Sequence, residues 1–140
     1  MKFKCIRVLL IEDCYDSVEL LREQLMDVYS NGFKFEHADR LSKGLKILGR
    51  EETDVVLLDI SLPDSQGLET FTKVYTHFPD VPILVMTNLD DETFAVKAVQ
   101  EGAQDYLVKG RVDSSLLVRS IRYAIERHRA LKKLKKAQLK

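Results

Sequence analysis

Apolar residues gather in short runs along this chain, and what closes each run differs sharply from what fills it. Val55-Val56-Leu57-Leu58 ends in Asp59, after which Ile60-Ser61-Leu62-Pro63-Asp64-Ser65-Gln66-Gly67 breaks any regular element. A short apolar run bounded by turn residues predicts a strand buried on both faces. Three more stretches read the same way: Ile6 to Ile11, stopped by Glu12-Asp13; Val81 to Met86, stopped by Thr87-Asn88; and Asp105 to Val108, stopped by Lys109-Gly110. Phe33 to Ala38 alternates as a further strand. Between the strands the spacing turns helical. Asp16-Ser17 caps a helix to about Ser30, with Val18, Leu21, Leu25 and Val28 on one face and Asn31-Gly32 ending it. Leu41 to Leu48 gives a second helix closed by Gly49, Leu68 to Phe78 a third ended by Pro79, and Glu92 to Gln100 a fourth closed by Gly102. Asp113-Ser114-Ser115 caps a long last one. Five strands alternating with five helices predict an α/β domain, a doubly wound parallel sheet with right-handed crossovers.

Composition adds bounds to that picture. At 140 residues the chain is one domain, or one with an appendage, and 45% hydrophobic with 31% charged residues is ordinary for a globular protein. No apolar stretch approaches the roughly 20 residues that span a bilayer. The basic start Met1-Lys2-Phe3-Lys4 meets Glu12-Asp13 too soon for a secretory signal, so a cytoplasmic location is expected. Cys5 and Cys14 form no disulfide or metal framework, and Cys5 is expected in the core as a small apolar residue. The net charge of zero hides a division. Residues 119–140 carry nine basic side chains and one acid, a net of +8, which leaves the rest of the chain at −8. That polarity bears on partners more than on fold.

The residues after each strand carry the chemistry. Glu12-Asp13, Asp59, Thr87 and Lys109 would meet at one edge of one sheet, where parallel α/β sheets gather their ligands. Only the second strand contributes nothing obvious, and His37, like His77, falls on an expected surface. Three carboxylates so close repel unless something positive joins them. A hard divalent cation does this, and Mg²⁺ typically completes its shell with waters and phosphate oxygens. Lys109 offers a movable point charge for a phosphoryl oxygen, and Thr87 a hydrogen bond. The set reads as a carboxylate nucleophile that accepts a phosphoryl group. Singly, each residue has a plainer role: a turn or cap for Asp59, a helix cap for Thr87-Asn88, a solvated amine for Lys109.

These motifs resemble the receiver domain of two-component response regulators over residues 4–128. They are Glu12-Asp13, Leu57-Leu58-Asp59-Ile60-Ser61-Leu62-Pro63, Ile83-Leu84-Val85-Met86-Thr87, and Gly102-Ala103-Gln104-Asp105-Tyr106-Leu107-Val108-Lys109. The resemblance implies a flavodoxin-like fold with strand order 2-1-3-4-5 and an extended last helix. It implies that Asp59 is the phosphoacceptor. Glu12, Asp13, Asp59 and the Ser61 carbonyl would hold Mg²⁺, with Mn²⁺ as a substitute, and Thr87 and Lys109 would contact the phosphoryl oxygens. Tyr106 would be an aromatic switch that turns inward as Thr87 moves, altering the face of the fourth helix, fifth strand and fifth helix. A histidine kinase or histidine phosphotransfer protein would be the donor in a phosphorelay. An output domain or protein would be the receiver of the signal, and that face is a candidate homodimer surface. The chain would then be a signalling switch carrying an aspartyl phosphate, with slow self-phosphotransfer and autodephosphorylation rather than conventional enzyme activity.

Some positions depart from the usual receiver pattern. Gly110 stands where proline commonly follows the lysine, which loosens the loop. The resemblance implies that Ser61 and Leu89 occupy positions that tune phosphoryl lifetime, and an apolar Leu89 cannot orient water, so slow self-dephosphorylation is expected. Two rival readings are a receiver-like docking module that works unphosphorylated and a phosphohydrolase of the haloacid-dehalogenase kind. The second lacks its usual second acid, because that position is Ser61. No glycine-rich loop follows the first strand, which disfavours a nucleotide-binding fold. Residues 129–140 extend the last helix as a basic segment, separate from the receiver unit at 1–128. Leu131, Leu134 and Leu139 are too few for a sustained coiled coil. A solvated helix, a linker to an absent output domain, or a surface for anionic lipid or nucleic acid all remain open for it. Specific nucleic-acid recognition is unsupported, since no aromatic residues interleave the lysines and no helix-turn-helix follows. His128 is a poor candidate for a metal ligand or phosphate relay.

Overall fold

A computed structural model of the chain describes residues 5–28 and 32–138, with no side-chain detail at Asp27 and Val28. Met1 to Lys4, Ser30, Asn31 and Leu139, and the Val28 side chain, all cited above, lie outside the described residues. Five strands form one parallel sheet: β1 (Ile6–Ile11), β2 (Phe33–Ala38), β3 (Val55–Asp59), β4 (Ile83–Thr87) and β5 (Asp105–Val108). Their order is β2-β1-β3-β4-β5, as expected from the receiver resemblance. Five helices connect them: α1 (Tyr15–Val28), α2 (Leu41–Arg50), α3 (Leu68–His77), α4 (Glu92–Glu101) and α5 (Ser114–Gln138).

Because side chains alternate across a strand, the central strands feed two cores at once. Val8, Leu10, Val55, Leu57, Leu84 and Met86 pack beneath α1 and α5 against Leu21, Leu25, Leu117 and Ile121. Leu9, Ile11, Val56, Leu58, Ile83 and Val85 face the other way, onto Leu41, Leu48, Phe71, Val74, Ala95 and Ala98 of the remaining helices. That double burial explains why β3 and β4 are apolar at every position before their last, Asp59 and Thr87. It also pins the register, since a slip of one residue would exchange the two faces.

Several boundaries move from their sequence expectations for local reasons. Helix α1 starts at Tyr15, ahead of Asp16-Ser17, because Val18 N–H already donates to the Cys14 carbonyl at 3.1 Å. Helix α2 runs through Gly49 to Arg50 and closes where Glu51 N–H reaches the Ile47 carbonyl. Strand β4 begins at Ile83 rather than Val81, since Pro82 has no N–H for a ladder; its carbonyl still accepts Val56 N–H at 3.0 Å. Helix α3 ends at His77, one residue before Phe78, and α4 reaches Glu101. Cys5 is exposed, not in the core, because it precedes β1. At α5 the expected cap holds: Asp113 Oδ1 accepts Leu116 N–H at 2.8 Å. Two small elements had no sequence forecast, an antiparallel pairing of Ser61–Leu62 with Ser65–Gln66 and a 3₁₀ turn at Leu89–Asp91.

Helix α5 runs past the core. Every side chain from Arg129 to Gln138 is exposed, a segment about 15 Å long at helical rise. Its Lys132 lies 3.8 Å from Asp80, an exposed ion pair worth little in water. Among the described residues no helix is long and apolar enough to cross a membrane.

Candidate functional site

The parallel register assembles the site. Ile11 pairs with Leu58, Asp59 with Met86, and Thr87 with Val108. Glu12, Asp59, Thr87 and Lys109 therefore leave neighbouring strands at the same carboxyl edge. Glu12 and Thr87 are fully buried and Asp59 is 3% exposed, whereas Asp13 is open to solvent. Oxygens of Glu12, Asp13 and Asp59 all lie within 4.8 Å of one another, close enough to share one cation.

Lys109 Nζ joins the two buried acids. It sits 3.0 Å from Asp59 Oδ2 and also contacts Glu12 Oε1. The other Asp59 oxygen accepts Ser61 N–H at 2.9 Å. Burial pushes the Glu12 carboxyl up to about 7, Asp59 adds to the rise, and Lys109 opposes it. Burial works to lower the Lys109 ammonium, but Glu12 and Asp59 outweigh it and hold its pKa above the ordinary value. A tethered ammonium thus compensates two carboxylates that water cannot reach.

The remaining expected residues surround this triad. Thr87 Oγ1 donates to the Asn88 carbonyl at 2.9 Å, so its proton is committed to its own loop. The capping role open to Thr87-Asn88 is not filled: neither the 3₁₀ turn nor α4 has a side-chain cap bond. Tyr106 is half-buried, and its hydroxyl donates to Glu92 Oε2 at 2.6 Å. That bond to a carboxylate, with some desolvation, raises the phenol's pKa. Leu89 is 54% exposed in the 3₁₀ turn, and Ser61 is exposed beside the acceptor. Gly110 adopts φ +87°, a left-handed conformation that proline's ring forbids.

Two residues of this region escaped the sequence reading. His37 is half-buried, not a bare surface residue, and its Nε2 lies 2.7 Å from the Glu12 carbonyl. The second strand does reach the site. Asp64, in the loop after β3, accepts Leu41 N–H at 2.8 Å and Ser42 N–H at 3.0 Å, and so caps α2 from a distance. Burial works to raise the Asp64 carboxyl, but those backbone bonds hold it below its ordinary value.

The profile of the response regulator receiver domain matches residues 8–122. The chain belongs to the receiver domain family. Among curated proteins, the response regulator FleR of Pseudomonas aeruginosa is 34% identical over 120 residues, covering 85% of this chain and 24% of FleR. The probable transcriptional regulatory protein SilR of Salmonella typhimurium is 33% identical over 114 residues, covering 81% of this chain and 49% of SilR. The receiver thus spans between about a quarter and a half of these two relatives. Among solved structures, a response regulator receiver domain from Clostridium thermocellum superposes with a TM-score of 0.77 at 26% identity, covering 90% of this chain and 98% of that one. NtrX from Brucella abortus superposes at 0.81 and 21% identity, over 95% of this chain and 29% of that one, a likeness of fold.

This receiver has a role in two-component signalling. Receiver domains generally bind Mg²⁺ at an acidic pocket, and the donor set here fits one: three carboxylates, two of them buried and held beside the movable Lys109 ammonium.

Proposed function

We propose that Asp59 accepts a phosphoryl group from the phosphohistidine of a histidine kinase or histidine phosphotransfer protein. The observation that carries this reading is the buried Asp59 carboxylate, shared between Lys109 and the Ser61 amide and flanked by Glu12 and Asp13. An Asp59 oxygen attacks phosphorus, the P–N bond breaks, and its electron pair stays on the donor's imidazole nitrogen. Mg²⁺, or Mn²⁺ in its place, would supply the positive charge that the carboxylates and the incoming phosphoryl group need. Glu12, Asp13, Asp59 and the Ser61 carbonyl would hold it. Lys109, already on Asp59 Oδ2, turns to a phosphoryl oxygen.

Thr87 is the second donor to the phosphoryl oxygens, and reaching them means giving up the Asn88 carbonyl. Tyr106 then turns into the space Thr87 leaves, breaking its charge-assisted bond to Glu92. The face of α4, β5 and α5 changes as a result, and an output domain, an output protein or a second copy reads it. Residues 1–128 act as the receiver unit, and the basic extension at 129–140, exposed over residues 129–138, is a linker toward an output domain. Leu89 cannot orient a hydrolytic water, so the aspartyl phosphate is long-lived; a Leu89→Gln variant with an unchanged lifetime would refute that. The cytoplasm is the expected compartment.

Intact mass after incubation with acetyl phosphate, with and without Mg²⁺, tests the proposal beside Asp59→Asn. The expected result is a gain of one phosphoryl group that needs both Mg²⁺ and Asp59. No gain, under conditions that label a known receiver, would replace this reading with a docking module that works unphosphorylated.

A further inference from the structure

We infer that His37 is a positioning residue for the cation site, acting through the main chain of Glu12. The inference rests on the phosphoacceptor reading above. A carbonyl oxygen only accepts, so the 2.7 Å approach of His37 Nε2 to Glu12 O requires the ring to carry its proton on that nitrogen. Strand β2 then holds the peptide groups on both sides of Glu12. Its N–H donates to the Ala38 carbonyl at 2.9 Å, and its C=O accepts from His37. The side chain is fastened as well, with Glu12 Oε2 accepting Cys14 N–H at 3.2 Å.

The carbonyl that His37 holds belongs to the peptide joining Glu12 to Asp13. Rotation of that peptide would carry the exposed Asp13 carboxylate away from the other two acids. Among the described residues, Asp13 makes no side-chain hydrogen bond or ion pair of its own that would oppose this rotation. The position lies past the end of the ladder, where β1 and β2 last pair at Ile11 and Ala38. A side-chain donor from β2 therefore continues the restraint that the sheet stops providing. Residues that orient metal ligands without touching the metal typically contribute 10–100-fold in affinity.

The test is Mg²⁺ binding by titration calorimetry on the full chain, with urea unfolding alongside. His37→Met keeps the length of the side chain but cannot donate; His37→Gln places an amide N–H where Nε2 stands. The expected result is a Kd about tenfold weaker in the Met variant and restored to within about threefold in the Gln variant. Labelling by acetyl phosphate should slow at limiting Mg²⁺ and recover at saturating Mg²⁺, because the acceptor itself is untouched. Equal Mg²⁺ affinity in wild type and His37→Met would overturn the inference, as would failure of His37→Gln to restore it. A wild-type chain that takes up neither Mg²⁺ nor a phosphoryl group would instead sink the phosphoacceptor reading.

Discussion

Raising the pH of the metal-free protein from about 5 to about 8 should weaken its fold, through Glu12. The carboxyl is fully buried, and burial, then Asp59, lifts its pKa from 4.5 to about 7 despite Lys109. Between those two values the folded chain binds more protons than the unfolded chain, so stability falls as pH rises. It is fully present below 4.5 and lost by the time pH passes about 7. At about 1.4 kcal/mol per unit, the whole shift corresponds to roughly 3 kcal/mol. With a denaturant slope of about 1–3 kcal/mol per molar urea, the unfolding midpoint should drop by about 1–3 M across the window. The assay is urea unfolding in chelator-treated buffer at several pH values, for wild type and Glu12→Gln. Glu12→Gln removes the buried charge but keeps the shape, so it should lose less stability over the window and exceed wild type at the alkaline end. The difference between the two curves cancels every group they share. Mg²⁺ should bring the wild-type midpoint back up at high pH, since it binds the ionised carboxylate. Parallel curves for the two proteins would show that Glu12 does not link the fold to pH.

Lys109→Met leaves two buried carboxylates without their cation, which should destabilise the metal-free chain by about 3–5 kcal/mol; saturating Mg²⁺ should shrink the gap in urea unfolding. Asp64→Ala removes the remote cap of α2 and should cost about 1 kcal/mol, seen as a lower unfolding midpoint at neutral pH. Because its pKa is depressed in the fold, the Asp64 contribution should vanish as pH falls through that value. Gly102→Ala should cost about 1–3 kcal/mol in a thermal or urea melt, as φ is +136° and a Cβ would lie 2.7 Å from Tyr75 Cζ.

Much of the site was legible because strand ends and motif spacing are local. Glu12, Asp59, Thr87 and Lys109 each follow an apolar run, and a parallel sheet must bring such positions to one edge. What escaped was non-local. Asp64 caps a helix 23 residues earlier in the chain, a pairing no local cap rule finds. His37 meets Glu12 only because β2 lies beside β1 in a register that sets His37 opposite Leu10. Cys5 was misplaced by the apolar run it precedes, since the ladder starts one residue later.

The alternation of strands and helices, the two buried faces of the central strands and the chemical identity of the groups at the sheet edge were all set by the order of residues along the chain. Those follow from side-chain period and from what each apolar run ends in, and both are written along the chain. The tertiary structure alone decided how those groups stand toward one another. It made Lys109 the partner of both buried acids, tied Tyr106 to Glu92, committed the Thr87 hydroxyl to Asn88 and brought His37 to the Glu12 carbonyl. It also raised Glu12 to a pKa of about 7. The physical reason is that burial and contact are properties of neighbours in space: a carboxylate's affinity for a proton depends on the water and charges around it, and strand order and register choose those.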